Sequence, residues 1–207
     1  MSATSRRAEH VADTRAALVS AARELFAERG YADVGTAEIV GRARVTRGAL
    51  YHHFRDKADL FQAVMRAVAA ELAGRLVEEQ TARTGAATAG VWDQLRHGVQ
   101  AYLDACVGSD FQRIVLVDGP AVLGPAAWEA LVQEYGLGLL RDWLGHAIED
   151  GQIDVLPVDP LARLLAALIA EASVYIGGST DQRTARDETG RTLDRVLVGL
   201  RPSGAGS

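Results

Sequence analysis

Residues 45–57 read Val-Thr-Arg-Gly-Ala-Leu-Tyr-His-His-Phe-Arg-Asp-Lys, and this stretch decides the fold class. Thr46 can cap the start of a helix, because its hydroxyl can accept a hydrogen bond from an orphan backbone N–H. Leu50 and Phe54 lie one helical turn apart, so both can anchor the segment to a core. The stretch therefore predicts a helix over residues 46–54 with one buried face and one free face.

The free face of this helix carries side chains suited to nucleic acid. Arg47 offers a bidentate donor, and Gly48 leaves a gap through which a backbone can come close. Tyr51 and His52 are flat side chains that can reach phosphates or base edges. This residue pattern predicts a surface that contacts DNA.

A second short helix is predicted upstream, over residues 36–43. Ile39, Val40 and Ala43 fall on one side of it at helical spacing. Only Arg44 and Val45 connect it to the next helix. Two short helices with so brief a connection form a helix-turn-helix.

These motifs resemble the N-terminal domain of the TetR family of bacterial transcriptional regulators. That domain has a Thr-led helix and then the signature Val-Ser/Thr-Arg-Gly-Ala-Leu-Tyr-x-His-Phe-x-x-Lys, and the match covers about the first seventy residues. Arg44 stands where the family usually has Gly; in a left-handed conformation its side chain would cost about 1 kcal/mol. Within the motif, His53 matches the family's buried histidine. The predicted DNA-binding residues are Thr36, Arg44, Thr46, Arg47, Gly48, Tyr51, His52 and Lys57.

Lys57 is the single lysine among 22 basic residues. Asp56 is predicted to cap the next helix, with Asp59 three residues on in a box-like arrangement. Lys57 then lies in the first turn, where the helix N-terminus adds backbone donors to the ammonium. The sequence predicts a phosphate contact there.

The rest of the chain predicts an all-α fold, because no segment has the alternation of a strand. Further helices are expected over residues 13–28, 56–80, 91–106, 111–117, 125–151, 159–177 and 183–200. Gly30 should end the first of them, Asp159 should cap the helix that Pro160 opens, and Asp118 should form a turn with Gly119. The predicted domains are a disordered arm (1–10), a three-helix bundle with the helix-turn-helix (11–70), and a helical ligand-binding and dimerisation domain (71–207).

The charge distribution agrees with a DNA-binding domain at the N-terminus. The whole chain has 22 basic and 27 acidic residues, a net charge of −5. Residues 1–60 hold ten basic and eight acidic residues (net +2), and residues 61–207 hold twelve and nineteen (net −7). DNA affinity should come from the local cluster of Arg42, Arg44, Arg47, Arg55 and Lys57.

Several features bear on compartment and chemistry. Cys106 is the only cysteine, which excludes an intramolecular disulfide, suits a reducing cytoplasm and favours a core-packing role. The chain has no run of eighteen apolar residues and no N-terminal signal core, so we expect neither membrane insertion nor export. His52 and His53 point about 100° apart on a helix and cannot chelate one ion. We therefore expect no metal, no cofactor and a cytoplasmic location.

The late helices predict a homodimer. Helix 159–177 has a wide apolar stripe and a second face of small residues, so it must pack on both sides, and a second copy would cover one of them. In the TetR family the last two long helices form a four-helix bundle with the symmetry mate, although both could be ordinary core helices. The predicted interface residues are Leu161, Leu165, Leu168, Ile169, Leu193 and Leu197.

The aromatic residues of the body suit an apolar cavity with a few polar groups, although core packing explains them equally well. The resemblance to the TetR family favours a pocket without identifying its ligand. The predicted pocket residues are Trp92, Tyr102, Phe111, Ile114, Trp128, Tyr135 and Trp143.

The predicted function is that of a ligand-responsive transcriptional regulator. A homodimer would bind a palindromic double-stranded operator as a repressor, and an unknown small-molecule effector would release it by a shift along the linking helix 56–80. One alternative is a constitutive DNA-binding protein without a ligand. Another is a helical enzyme, but the chain has no nucleophile elbow, P-loop, zincin, dinucleotide or Cys-x-x-Cys motif.

Overall fold

The computed structural model describes residues 3–84 and 90–202, and the fold in those ranges is all-α, without strands. Two segments, Phe111–Asp118 and Gln133–Leu137, have the wide turns of a π-helix. The α-helices are α1 (Ala3–Arg29), α2 (Thr36–Ala43), α3 (Arg47–His53), α4 (Lys57–Thr84), α5 (Val91–Ala105), α6 (Gly119–Val132), α7 (Gly138–Glu149), α8 (Val158–Gly178) and α9 (Gln182–Val198).

The chain divides into two compact units. The first unit comprises the chain up to Val68 together with Ser109–Pro125, and the second comprises Ala69–Gly108 together with the chain from Ala126 onward. The sequence predicted a boundary near residue 70. It did not predict that the segment around residues 109–125 belongs to the first unit.

The first unit is built around α1, which packs against α2, α3 and the π-segment 111–118. Its core includes Phe26 and Phe61, whose ring centroids lie 5.3 Å apart at a steep angle, and Tyr31 joins them. Leu50 and Phe54 of the recognition segment are buried, as their spacing predicted. This packing fixes α3 by one face and leaves the other in solvent.

Two helix starts in the first unit differ in their details from expectation. α1 begins at Ala3, where the sequence predicted an arm up to residue 10 and a helix from residue 13 or 14. α4 begins after Asp56, whose carboxylate accepts from the Asp59 N–H at 2.8 Å, as predicted. The Asp59 carboxylate reaches back to the N–H of Arg55 at 3.0 Å, so the box is wider by one residue.

The second unit has α5, α7, α8 and α9 as its main layers, with α8 against both α7 and α9. Trp143 of α7 lies against Gly98 of α5, where a Cβ would overlap its ring. Gly190 of α9 likewise allows Gln100 of α5 to come close, and the Gln100 amide donates to the Gly190 carbonyl at 3.0 Å. Small residues thus permit close helix packing in this unit.

The predicted single helix over residues 125–151 is wrong. Its predicted start holds, because the backbone leaves helical geometry at Gly124, which has φ +76°, and is helical again from Pro125. The π-segment 133–137 then separates α6 from α7. The expected stop is present, because α7 ends at Glu149 and Gly151 adopts φ +67°.

The start of α8 also differs from expectation. The helix begins at Val158 with Pro157 as its N-cap, so the sequence placed the cap two residues too late. Asp159 lies inside the first turn and accepts hydrogen bonds from Arg141 and Arg163. α8 is long and apolar enough to cross a membrane by length and composition, but Leu161, Leu165 and Ile176 bury its inner side within the second unit.

Candidate nucleic-acid interface

The helix-turn-helix forms as the sequence predicted, with α3 held by its cap and its core contacts. The Thr46 hydroxyl accepts a hydrogen bond from the Ala49 N–H at 3.1 Å, which satisfies one of the orphan donors of the first turn. The Phe54 N–H donates to the Leu50 carbonyl at 2.9 Å and closes the last turn. Both ends of α3 are thus closed by hydrogen bonds, and the buried Leu50 and Phe54 anchor it to the core.

The exposed side of the motif carries most of the predicted DNA-binding residues. We call this surface the recognition face. Its exposed members are Arg44, Thr46, Arg47, Gly48, Tyr51 and His52, with half-buried Thr36 at the start of α2. Apart from half-buried Lys57, the predicted DNA-binding residues thus lie on or beside one accessible surface.

Tyr51 is the organising side chain of the recognition face, and 45% of it is exposed. Side-chain hydrogen bonds with Thr36, the largest cause, and with Arg47 hold the pKa of Tyr51 below its usual value. The Arg47 guanidinium carbon lies 5.6 Å from the centre of the Tyr51 ring. These contacts order Arg47 before any ligand arrives, which reduces the entropy lost on binding.

Arg44 occupies the turn between α2 and α3 in a left-handed conformation, with φ 55° and ψ 39°. It is the only residue other than glycine with positive φ in the described parts of the chain. Its N–H donates to the Gly41 carbonyl at 3.2 Å and so ends α2. The turn keeps the geometry that glycine would give, and an exposed cation is added to it.

The basic cluster offers less positive charge to DNA than the sequence suggests, because acidic side chains neutralise part of it. Arg42 pairs with Glu24 at 2.8 Å, and Arg55 pairs with Asp59 at 3.1 Å. Within the described residues, Arg44 and Arg47 have no acidic partner. These two cations therefore add uncompensated positive charge at the recognition face.

Lys57 has a role inside the protein that the sequence did not predict. Its ammonium donates to the carbonyls of Tyr31 and Val34 at 2.7 and 2.9 Å. It also lies 4.0 Å from the centre of the Tyr31 ring. An ammonium has three donors, so most of its hydrogen-bonding capacity holds the α1–α2 loop. A phosphate contact by Lys57 stays a prediction.

Two further sequence interpretations need correction here. His53 is half-buried rather than buried, with desolvation as the largest cause that lowers its pKa, followed by His52 and Arg15. Asp118 is not a simple turn former, because its carboxylate accepts a hydrogen bond from the Tyr31 N–H at 2.8 Å. No local sequence signal links residues 31 and 118, so the pattern gave no indication of this contact.

The predicted pocket residues are divided between the two units. Phe111 and Ile114 are buried in the first unit, whereas the other five belong to the second. Within the second unit, Trp92 is fully buried, and its indole N–H has no hydrogen-bond partner among the described residues. Trp128, Tyr135 and Trp143 are half-buried. The Tyr102 hydroxyl accepts from Ser173 at 3.3 Å.

The surroundings of Cys106 confirm its predicted packing role. Its side chain is fully buried, and burial raises the pKa of the thiol to about 11. The thiol donates to the Tyr102 carbonyl at 3.2 Å.

A shallow polar groove of about 430 Å³ lies between α5 and α9. It is lined by Gln100, Arg186, Asp187, Gly190, Arg191 and Asp194.

The predicted dimer residues require a correction. Leu161, Leu165, Leu193 and Leu197 are buried inside the chain itself, so the single chain presents little of their surface to a second copy. Ile169 is half-buried, and only Leu168 is exposed. The sequence could not separate buried from exposed leucines on α8, because both the inner and the outer face of this helix carry leucine.

A helix-turn-helix with an ordered, exposed second helix defines a DNA-binding transcriptional regulator. The chain matches the family described as "Bacterial regulatory proteins, tetR family" over residues 18–64 and "Tetracyclin repressor-like, C-terminal domain" over residues 92–200. The second match alone covers more than half of the chain. The chain belongs to the TetR family of bacterial transcriptional regulators.

Individual relatives agree with this assignment. The crystal structure of a TetR-family transcriptional regulator from Pectobacterium atrosepticum has a TM-score of 0.81 and 34% identity, covering 93% of this chain and 96% of that one. The Transposon Tn10 TetC protein of Escherichia coli is 28% identical over 167 residues, 81% of this chain and 82% of the relative. The transcriptional repressor BepR of Brucella suis is 48% identical over 54 residues, 26% of each chain.

Proposed function

We propose that this regulator is a repressor that binds a palindromic operator as a homodimer in the cytoplasm and leaves it when a small molecule binds. The observation that carries the proposal is the recognition face, where Tyr51 orders Arg47 beside the unpaired Arg44. α3 enters the major groove, Arg47 contacts a base edge, and Arg44 contacts the sugar-phosphate backbone. Tyr51 and Thr36 position Arg47 and meet phosphate.

Dimerisation is proposed through an outward apolar stripe of α8. The stripe consists of Leu164, Leu168 and Tyr175, which are 66%, 44% and 55% exposed in the single chain. Their spacing of four and seven residues places them on one side of the helix. A second copy would cover them by the symmetric contact usual in two-fold dimers. This α8 stripe replaces the buried residues that the sequence had suggested.

Charge also supports a contact between copies. Glu171 lies beside the α8 stripe, between Leu168 and Tyr175 in the chain, and is exposed. α9 carries exposed Arg191 and Arg195 on the adjacent helix. A second copy can supply the opposite charge that Glu171 needs when it is removed from water.

The effector is proposed to bind in the second unit. The support is the unpartnered indole N–H of Trp92, because a buried donor without an acceptor is costly and a polar ligand atom would satisfy it. A coupling of about 1–3 kcal/mol between effector and operator would weaken DNA binding about 5–150-fold. The proposed domain boundaries are those predicted from the sequence, except that α1 extends into the predicted arm and residues 109–125 belong to the first unit.

The test is selection of binding sites from a pool of random duplexes with the full chain. We expect enrichment of a palindrome whose half-sites are separated by about one helical turn, roughly 10 base pairs. Enrichment of a single, non-repeated site would contradict the dimeric mode. Uniform binding to the pool would contradict an operator-specific regulator.

Effector response is tested separately, by a thermal-shift screen followed by affinity measurements with and without the selected operator. A ligand at a hundred times its dissociation constant should stabilise the protein by about 2.7 kcal/mol. By linkage, an inducer must bind the DNA complex more weakly than the free protein. Equal affinities for all ligands found, without displacement of DNA, would leave a constitutive DNA-binding protein.

A further inference from the structure

The loop between α1 and α2 is held on two sides at a single residue. The Tyr31 N–H donates to Asp118 Oδ2 at 2.8 Å, and the Tyr31 carbonyl accepts from Lys57 Nζ at 2.7 Å. Lys57 also donates to the Val34 carbonyl at 2.9 Å. One backbone residue therefore connects the π-segment 111–118 with the first turn of α4.

The wide turns of the π-segment make this contact possible. In a regular α-helix, residues five apart point about 140° away from each other. The i to i+5 geometry of a π-helix brings such residues to one side. Here Arg113 Nε lies 3.6 Å from Asp118 Oδ2, and the Arg113 guanidinium donates to the Arg29 carbonyl at 3.3 Å. Both side chains thus face the end of α1.

The end of α1 is shaped to receive Arg113. Gly30 adopts φ +81°, and a Cβ at this position would overlap the Arg113 guanidinium. At the other end of the π-segment, Asp110 accepts from Arg23 of α1 at 2.6 Å. Asp110, Arg113 and Asp118 therefore form a continuous polar seam along α1, with Asp118 at the loop.

We propose that Asp118 is a positioning residue for DNA binding, which acts through the Tyr31 backbone and Lys57 on the recognition helix. Lys57 follows the end of α3 by only a few residues, so a shift of Tyr31 moves Lys57 and the C-terminal end of α3 with it. The inference rests on the proposed function. It adds a route that starts at the π-segment and does not require movement along the whole of α4.

The first experiment compares Asp118→Ala and Asp118→Asn with the wild type on the selected operator and on random duplex DNA, well below the melting temperature of each variant. Removal of a carboxylate makes the net charge of the protein more positive, so electrostatics alone would tighten binding to both DNAs. We expect Asp118→Ala to weaken operator binding about 5–10-fold without weakening binding to random DNA. Asp118→Asn should recover most of the loss, because its carbonyl still accepts from Tyr31.

The matched control is Asp159→Ala in α8, which makes the same charge change and removes a carboxylate that is also bonded to arginines, Arg141 and Arg163. Asp159→Ala should change the affinity for the operator and the affinity for random DNA by the same factor. A double-mutant cycle of Asp118→Ala with Lys57→Met should show a combined loss on the operator smaller than the product of the single losses. If the loss of operator affinity in the double variant equals the product of the two single losses, the proposed route through Tyr31 is overturned.

Amide hydrogen exchange gives a readout that needs no DNA. In Asp118→Ala the amide hydrogens of Tyr31 and of residues 54–60 should exchange faster than in the wild type. Faster exchange at Tyr31 alone would mean that the contact with Asp118 stabilises only the loop, and it would overturn the proposal. Operator affinity unchanged or tightened in Asp118→Ala, while the wild type binds, would overturn this inference alone. A wild-type chain that selects no sequence would overturn the proposed function and the inference together.

Discussion

The recognition face and the α8 stripe are both exposed surfaces, but they are built in opposite ways. On the recognition face, side chains are already ordered by contacts within the chain, as the Tyr51 bond to Thr36 and the Arg47 stacking indicate. The α8 stripe is apolar, and large parts of Leu164 and Leu168 remain in solvent. Ordered cations suit a rigid, highly charged partner, whereas an apolar stripe suits burial against another protein surface.

The largest effect should come from the α8 stripe. Leu164→Glu combined with Leu168→Glu would force unpaired carboxylates into the dimer contact, at a cost of several kcal/mol. We expect a folded monomer by light scattering, with operator affinity reduced by at least about 100-fold because two half-sites are no longer bound together.

The control for this change is Val155→Glu, at an apolar residue that is 86% exposed in the loop before α8. It should leave both the dimer and the operator affinity unchanged. A dimer that survives the double substitution would show that the α8 stripe is not the interface and would remove the contrast between the two surfaces.

Lys57→Ala should have the next largest effect, and mainly on stability. The substitution removes two charge-assisted hydrogen bonds to loop carbonyls, so the free energy of unfolding should fall by about 1–3 kcal/mol. Chemical denaturation measures this change. Unaltered stability, with a salt dependence of DNA binding lower by about one unit, would instead return Lys57 to a purely phosphate-binding role.

The hydrogen bond between Tyr51 and Thr36 is tested by a smaller change. Tyr51→Phe keeps the ring beside Arg47 and removes the hydroxyl with its bonds to Thr36 and Arg47, so the free energy of operator binding should weaken by about 0.5–1.5 kcal/mol. Thr36→Val should cost a similar amount, and the double variant should cost less than the sum. Additive losses would mean that the two side chains act separately and that the recognition face is less ordered than proposed.

Arg44→Gly should give the smallest effects, with stability rising and DNA affinity falling. Relief of the left-handed conformation should stabilise the protein by about 1 kcal/mol. Loss of the exposed cation should weaken binding to all DNA sequences equally and lower the salt slope by about one unit. A more stable variant with unchanged DNA affinity would exclude a backbone contact by Arg44.

The same two surfaces show what the sequence could predict. Around α3 the helices are regular, so the cap at Thr46 and the buried pair Leu50 and Phe54 follow directly from spacing. On α8 the spacing is equally regular, but leucines lie on both sides. Hydrophobicity alone therefore could not separate buried Leu165 from exposed Leu168.

Long-range contacts and irregular turns were beyond sequence reasoning. The contact of Lys57 with the Tyr31 carbonyl depends on the course of the loop, and that of Asp118 depends on a π-segment that no periodicity indicates. The π-segment 133–137 interrupts what the apolar pattern predicted as one helix over residues 125–151. Spacing predicts which residues share a face only where the helix is regular.

The central claim is that Arg47 on the recognition face reads a base in each half of a symmetric site. The most direct test is to repeat the selection from random duplexes with Arg47→Ala and to compare its base preferences with those of the wild type. We predict that preference is lost at one symmetry-related pair of positions, with a cost of about 1–3 kcal/mol there, and is retained elsewhere. Unchanged preferences at every position would contradict the account.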